Sequence, residues 1–313
     1  MKTSERGFVL VCVLWVLAIL IVLVVGFQRR AMMEARAARF TLDHMQAMEM
    51  ARGAVARGIV EARNKGTIDG LYKQGGRTSM KQRWAHTVDM LQENAYFTEP
   101  AEEFKDEKCK YILRDEESLI CINAADENLL KNIDGLSLTA VRKIMARRMG
   151  DRDRAEPPQP FQTLEEVREI EGIRDKDWFG DEKNVGLQDI LTCWGDGKIN
   201  INTASADVLK CIPDVHANAI DAIIGYRVGS DGELGTDDDQ DFATMNQIAE
   251  ATGIGGESLI PIQQHCKVDS QFFTIKGMAT RRQGKVVATC VATIVMNEGS
   301  TYVMKWREEF LDS

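Results

Sequence analysis

Phe8 to Phe27 is a run of twenty uncharged residues, starting seven residues into a chain of 313. About 20 helical residues cross the roughly 30 Å hydrocarbon core of a bilayer, so this stretch is long enough to span one. A secretory signal peptide has a shorter apolar region and a small-residue cleavage site behind it. Here the chain continues as "QRRAMMEARAARF", which is polar and helix-forming. The segment is therefore expected to be retained, with any processing ahead of it, at Gly7–Phe8. Flanking charge does not settle its orientation. Lys2 and Arg6 precede it and Arg29, Arg30, Arg36 and Arg39 follow, which by the positive-inside rule favours the following side as cytoplasmic.

Beyond the apolar run, Phe40, Met45, Met48, Ala51, Val55 and Ile59 recur at helical spacing. One long helix is predicted from about Phe8 to Ala62, its second half turning a face to a core. Gly66 and "IDGLYKQGGRTS" then mark a loop. At the other end, "QFFTIKGMATRRQGKVVATCVATIVMNEGSTYVMKWREEF" is rich in Val, Thr, Ile and Phe, with breaks at "RRQGK" and "NEGS". It predicts three antiparallel strands joined by two hairpins. "CKYILRDEESLICIN" predicts a further hairpin turning at "DEES". A long helix lying on an antiparallel sheet buries the apolar face of each, which gives an α+β fold.

Between the two β regions lies an internal repeat. "INAADENLLKNIDGLSLTAVRKIMARR" aligns with "INTASADVLKCIPDVHANAIDAIIGYR", placing Asn123 on Asn202, Ile144 on Ile223 and Arg148 on Arg227. The halves end in similar tails, "PFQTLEEVREIEGI" and "DFATMNQIAEATGI". Each predicts a capped short helix, a tight turn, a second helix, and a third helix begun by Thr163 or Thr244. These two helical units fall between strands of one sheet and are expected to form an inserted all-α domain, residues 121–265.

The three-helix pattern is that of helix-hairpin-helix (SAM-like) repeats, which in other proteins hold DNA phosphates. That use needs glycines at the hairpin so that backbone N–H groups can approach a phosphate. "IDGLSL" and "IPDVHA" lack the second glycine, and Asp214 stands where the pocket should be. The insertion carries 14 Lys/Arg against 27 Asp/Glu, a balance that repels nucleic acid; no nucleic-acid partner is expected. Seven scattered cysteines form no CxxC pair, and His44, His86, His216 and His265 are far apart, so no zinc site is legible. Whether the cysteines beyond the membrane are buried thiols or disulfides stays open. No nucleophile–base pair, P-loop or metal-hydrolase motif appears, and no enzyme activity is expected.

The leader "RGF" with its apolar helix resembles a type III, prepilin-type signal. Together with "QAMEMARGAVARGIVEAR", "LRDEESLICINAA", "GKININTASADVLKCIPDV", "VDSQFFTIKGMA" and "YVMKWREEF", in that order, it resembles the minor pseudopilins of type II secretion of the general secretion pathway protein K family. The resemblance implies a leader of residues 1–7 and a transmembrane part of the helix over 8–27. It implies a pilin-like domain over 28–120, completed by C-terminal strands over 266–313 after the insertion. A prepilin peptidase would cut after Gly7 on the cytoplasmic side and methylate Phe8. The globular part would then lie in the periplasm on a single inner-membrane pass, against the arginine count. Most pilin-like subunits carry Glu at mature position five; here that residue is Cys12, as the family resemblance implies, so no carboxylate is offered to a subunit above. The implied role is capping and initiating the pseudopilus at its tip with the other minor pseudopilins. The alternative is a membrane-anchored DNA receptor of the competence type.

One loop is expected to bind calcium. "GSDGELGTDDDQDF", residues 229 to 242, holds five Asp and one Glu with no cation, and calcium takes six to eight hard oxygen ligands. The spacing is not that of an EF-hand. It resembles the calcium loop of the major pseudopilin, with Asp231, Asp238 and Asp239 at matching places. That resemblance adds the Leu234 carbonyl, with Asp237 and Asp241 as further ligands.

Overall fold

In the computed structural model of the chain, the described residues are 4–64, 78–81, 108–150 and 157–311, except 183, 235, 237, 283, 298 and 299. The first element, α1 (Ser4–Asn64), is a single helix of 61 residues, about 90 Å long at 1.5 Å per residue. It runs unbroken through the Gly7–Phe8 step; Ala, Arg, Leu, Met and Glu make up more than half of it and proline is absent.

α1 lies on an antiparallel sheet of β1 (Lys108–Asp115), β6 (Phe272–Arg281), β7 (Val286–Asn297) and β8 (Ser300–Leu311), in that spatial order. The three C-terminal strands and their two hairpins follow the predicted breaks. Ala47, Met48, Ala51, Ala54, Val55 and Ala62 pack with Tyr111, Leu113, Phe273, Ile275, Cys290 and Ile294 in one core. Phe40 and Met45, predicted to face this core, are exposed; α1 first becomes buried at Asp43.

The predicted hairpin at "DEES" is absent. β1 pairs with β6, and Asp115 caps a 3-10 turn over Glu116–Ser118. The chain then enters β2 (Ile120–Cys121), which pairs in parallel with β3 (Leu191–Thr192). Two helical units follow. The first holds α2 (Glu127–Lys131), α3 (Leu138–Met149), α4 (Leu164–Arg168), α5 (Asp175–Phe179) and α6 (Leu187–Ile190). The second runs from β4 (Ile199–Asn200) through α7 (Ala206–Lys210), α8 (Ala217–Arg227), α9 (Gln247–Thr252) and α10 (Leu259–His265). It closes at β5 (Cys266–Lys267), parallel to β4. Thr163 caps α4 as predicted, whereas α9 starts beyond Thr244, after Asn246.

The repeat extends from its first helices to its polar contacts. Asn123 donates to the Phe161 and Cys193 carbonyls and accepts from Phe161 N–H, each at 2.8 Å. Asn202 does the same to Phe242 and Val268 and accepts from Phe242 N–H. Arg148 donates to the Ala125 carbonyl, Arg227 to that of Ala204. One asparagine thus satisfies the entry to the third helix in each unit and the strand closing it. The apolar residues of both units merge into a second core, separate from that under α1.

Candidate functional site

Three places bear on function: the free part of α1, the acidic loop after α8, and the junction between insertion and sheet. From Phe8 to Leu42 every residue of α1 is exposed, including Phe8, Leu14, Trp15, Ile21 and Phe27. An apolar helix left bare in this way is long enough to cross a membrane. Gly7 lies within α1, ahead of Phe8, and Cys12 is exposed one turn further on.

In the acidic loop, Asp238 accepts from Ser230 N–H and the Ser230 hydroxyl, both at 2.6 Å, and from the Thr236 hydroxyl at 2.7 Å. These donors hold its carboxyl well below the usual carboxylate range, the Ser230 hydroxyl contributing most. Gly229, at φ +68°, lets the chain pass close: a Cβ there would stand 2.5 Å from Asp238 Oδ2. Asp231 accepts from Glu233 N–H, Leu234 is exposed, and Asp239 is buried beside the Arg227 guanidinium. Asp241 instead accepts from the Ser79 hydroxyl. Asp237 lies outside the described residues. Among those described, the carboxylates do not gather into a group of three able to hold a metal. In this arrangement Asp238 serves the loop's own donors, and a cation would have to displace them.

The helical turns differ from a phosphate-binding pair in a further way. A Cβ on Gly135 would stand 3.1 Å from Asp177 Cβ, so a carboxylate-bearing residue covers the first turn. Asp214 occupies the second at φ 59°.

The junction uses three consecutive carboxylates. Asp115 accepts from the Ser270 and Thr203 hydroxyls at 2.6 Å, the Asn200 amide at 3.1 Å and Glu117 N–H at 2.9 Å. Glu116 accepts from the Thr192 hydroxyl and pairs with Arg114. Glu117 pairs with Lys267 at 2.7 Å and accepts from Gln271 N–H. All three are buried. Burial pushes the Asp115 carboxyl up to about 6, against the pull of the two hydroxyls. It raises Glu117 as well, opposed by the Lys267 charge. Lys267 itself is raised, its carboxylate partners outweighing its burial.

No protein-family model and no curated protein matches the chain. Among solved structures, the chain is similar to one in the GspK–GspI–GspJ complex of the type 2 secretion system of enterotoxigenic Escherichia coli. The match has 16% identity and a TM-score of 0.53, and covers 90% of this chain and 99% of the other. It has a pseudopilin fold. The sheet and α1 of the pseudopilin fold are what the composition predicts. The junction is what it does not: "DEES" has the composition of a turn, and its polar partners lie some 75 to 155 residues away in sequence. Only the runs of charge within an otherwise strand-like stretch could have signalled burial there. The cysteines are free thiols. Cys121, Cys193, Cys211 and Cys266 are buried, and burial raises each thiol to between about 11 and about 12.

Proposed function

We propose that this chain is a minor pseudopilin that caps and initiates a type II secretion pseudopilus, as a structural subunit rather than an enzyme. The observation that carries the reading is a pseudopilin fold with its first helix bare from Phe8 to Leu42. The neighbouring structure is a complex with GspI and GspJ, and we assign their counterparts as partners. In support of the tip position, Cys12 offers no carboxylate to a subunit above, and the insertion adds bulk on the flank of the sheet. The DNA-receptor alternative is disfavoured by Asp177 over the first turn, Asp214 in the second and the acidic balance of the insertion.

The reading includes inner-membrane anchoring, with the N-terminus cytoplasmic and the folded part periplasmic, and cleavage by a prepilin peptidase. It is tested by the mature N-terminus. Mass analysis of the cellular protein should find a methylated Phe8, and Gly7→Val should leave the precursor uncut. A mature chain beginning after residue 27 would overturn the assignment.

Calcium is proposed as a structural ligand of the acidic loop, with Asp238, Asp239, Asp231, Asp237 and the Leu234 carbonyl as the residues that would hold it. The support is the density of carboxylates without an intervening cation, which repel one another unless neutralised.

A further inference from the structure

The outer face of the sheet and the insertion enclose a cleft of about 180 Å3. Trp194, just after β3, and Glu165, in the first turn of α4, form one side of it. Thr293 on β7 and Lys305 and Arg307 on β8 form the other, with Arg114 of β1 at the edge. Three cationic side chains therefore meet here on a chain of net charge −9. Arg114 is engaged by Glu116 at 2.8 Å and Arg307 by Glu309 at 2.9 Å. Lys305 donates to the Gln162 carbonyl at 3.3 Å and makes no ion pair among the described residues; Glu165, held below its ordinary value chiefly by its own backbone N–H, also feels the Lys305 and Arg307 charges across the cleft. The floor is fixed: Glu116 and Thr192 are buried and bonded to each other, and the Thr293 hydroxyl is bonded to that of Thr274 at 3.0 Å.

We propose that this cleft receives one carboxylate, carried on an acidic side chain of a partner protein, with Lys305 as its counter-ion. The space is below the roughly 300–1,000 Å3 of small-molecule pockets and suits a side chain. A carboxylate meeting an ammonium makes a charge-assisted hydrogen bond, about twice as strong as a neutral one. Glu116 and Glu165 line the same cleft, so a doubly charged phosphate is repelled more than a singly charged carboxylate. The inference stands on the cleft alone and does not depend on the pseudopilus.

The test uses the full chain in detergent and N-acetyl-glutamate N-methylamide as probe. The glutamine analogue, acetate and inorganic phosphate are run beside it at equal ionic strength. At several times its dissociation constant the glutamate probe should raise the melting temperature by about 2 °C. The rise should vanish in Lys305→Gln and survive in Lys305→Arg. Acetate, which carries the same carboxylate, should also raise the midpoint; an equal rise with the glutamine analogue or with phosphate, or a rise that persists in Lys305→Gln, would overturn the proposal.

Discussion

Gly277 lies where β6 passes beneath α1, and a Cβ there would stand 2.3 Å from the Ala51 carbonyl oxygen and 3.0 Å from Val55 N. Gly58 makes the reciprocal approach from the helix, with Ile275 Cγ2 2.6 Å from its would-be Cβ. Helix and sheet thus touch backbone to backbone, and Gly277→Ala must lift α1. It should destabilise the folded part by about 1–3 kcal/mol, as overpacked cores do, seen as a lower urea midpoint with unchanged slope. Asp115 has the opposite character, a polar group held where water cannot reach. Its folded carboxyl is raised to about 6 from an ordinary 3.8, so the folded state binds that proton more tightly than the unfolded chain. The resulting stability is complete below about pH 4 and lost as pH rises through about 6, an effect of about 3 kcal/mol at 1.36 kcal/mol per unit. Asp115→Asn lacks that titration. The stability of the wild type relative to the variant should fall between pH 4 and pH 7, and a difference flat across that window would contradict the buried-acid account.

At the scale of elements, sequence legibility follows the range of the forces involved. The strands β6, β7 and β8 were legible because their turn residues and their runs of Val, Thr, Ile and Phe are local signals. The repeat was legible because Asn123 and Asn202, or Arg148 and Arg227, occupy equivalent places in both copies. The 3-10 turn at Glu116–Ser118 was not, since the hydroxyls and amides that make its carboxylates tolerable arrive from the middle of the insertion and from just beyond its end. For α1 the period was right but its span on the core was too long: the sheet ends near Phe310, which meets His44 at 5.1 Å between ring centroids, and leaves Phe40 and Met45 uncovered. The acidic loop was legible in composition only. Its carboxylates were expected to converge, yet Asp238 turns to Ser230 and Thr236 and Asp241 to Ser79. Calcium should therefore act by reorganising the loop. A ligand that binds only the folded state raises the melting temperature, so the midpoint should rise with calcium and fall back with chelator. An unmoved midpoint, or an equal rise in the Asp238→Ala, Asp239→Ala double variant, would exclude a site in this loop.

For the whole molecule, the two cores divide the work. The core under α1 holds a sheet against a helix whose other half is bare. The core of the repeats stands on the sheet through Asp115, Glu116 and Glu117. An apolar helix exposed along its length is unfavourable in water and stable in a bilayer or among other such helices. On the proposed reading, the insertion, nearly half the chain, would crowd side-by-side neighbours in a filament. If the mature chain begins at Phe8 as proposed, Cys12 stands at position five and offers no carboxylate to a further subunit on top. One copy per filament, at the end, is therefore expected. Immunogold labelling of the insertion on assembled pseudopili tests this most directly. Label is expected at one tip of each filament, and label spaced along the shaft would rule out the tip assignment.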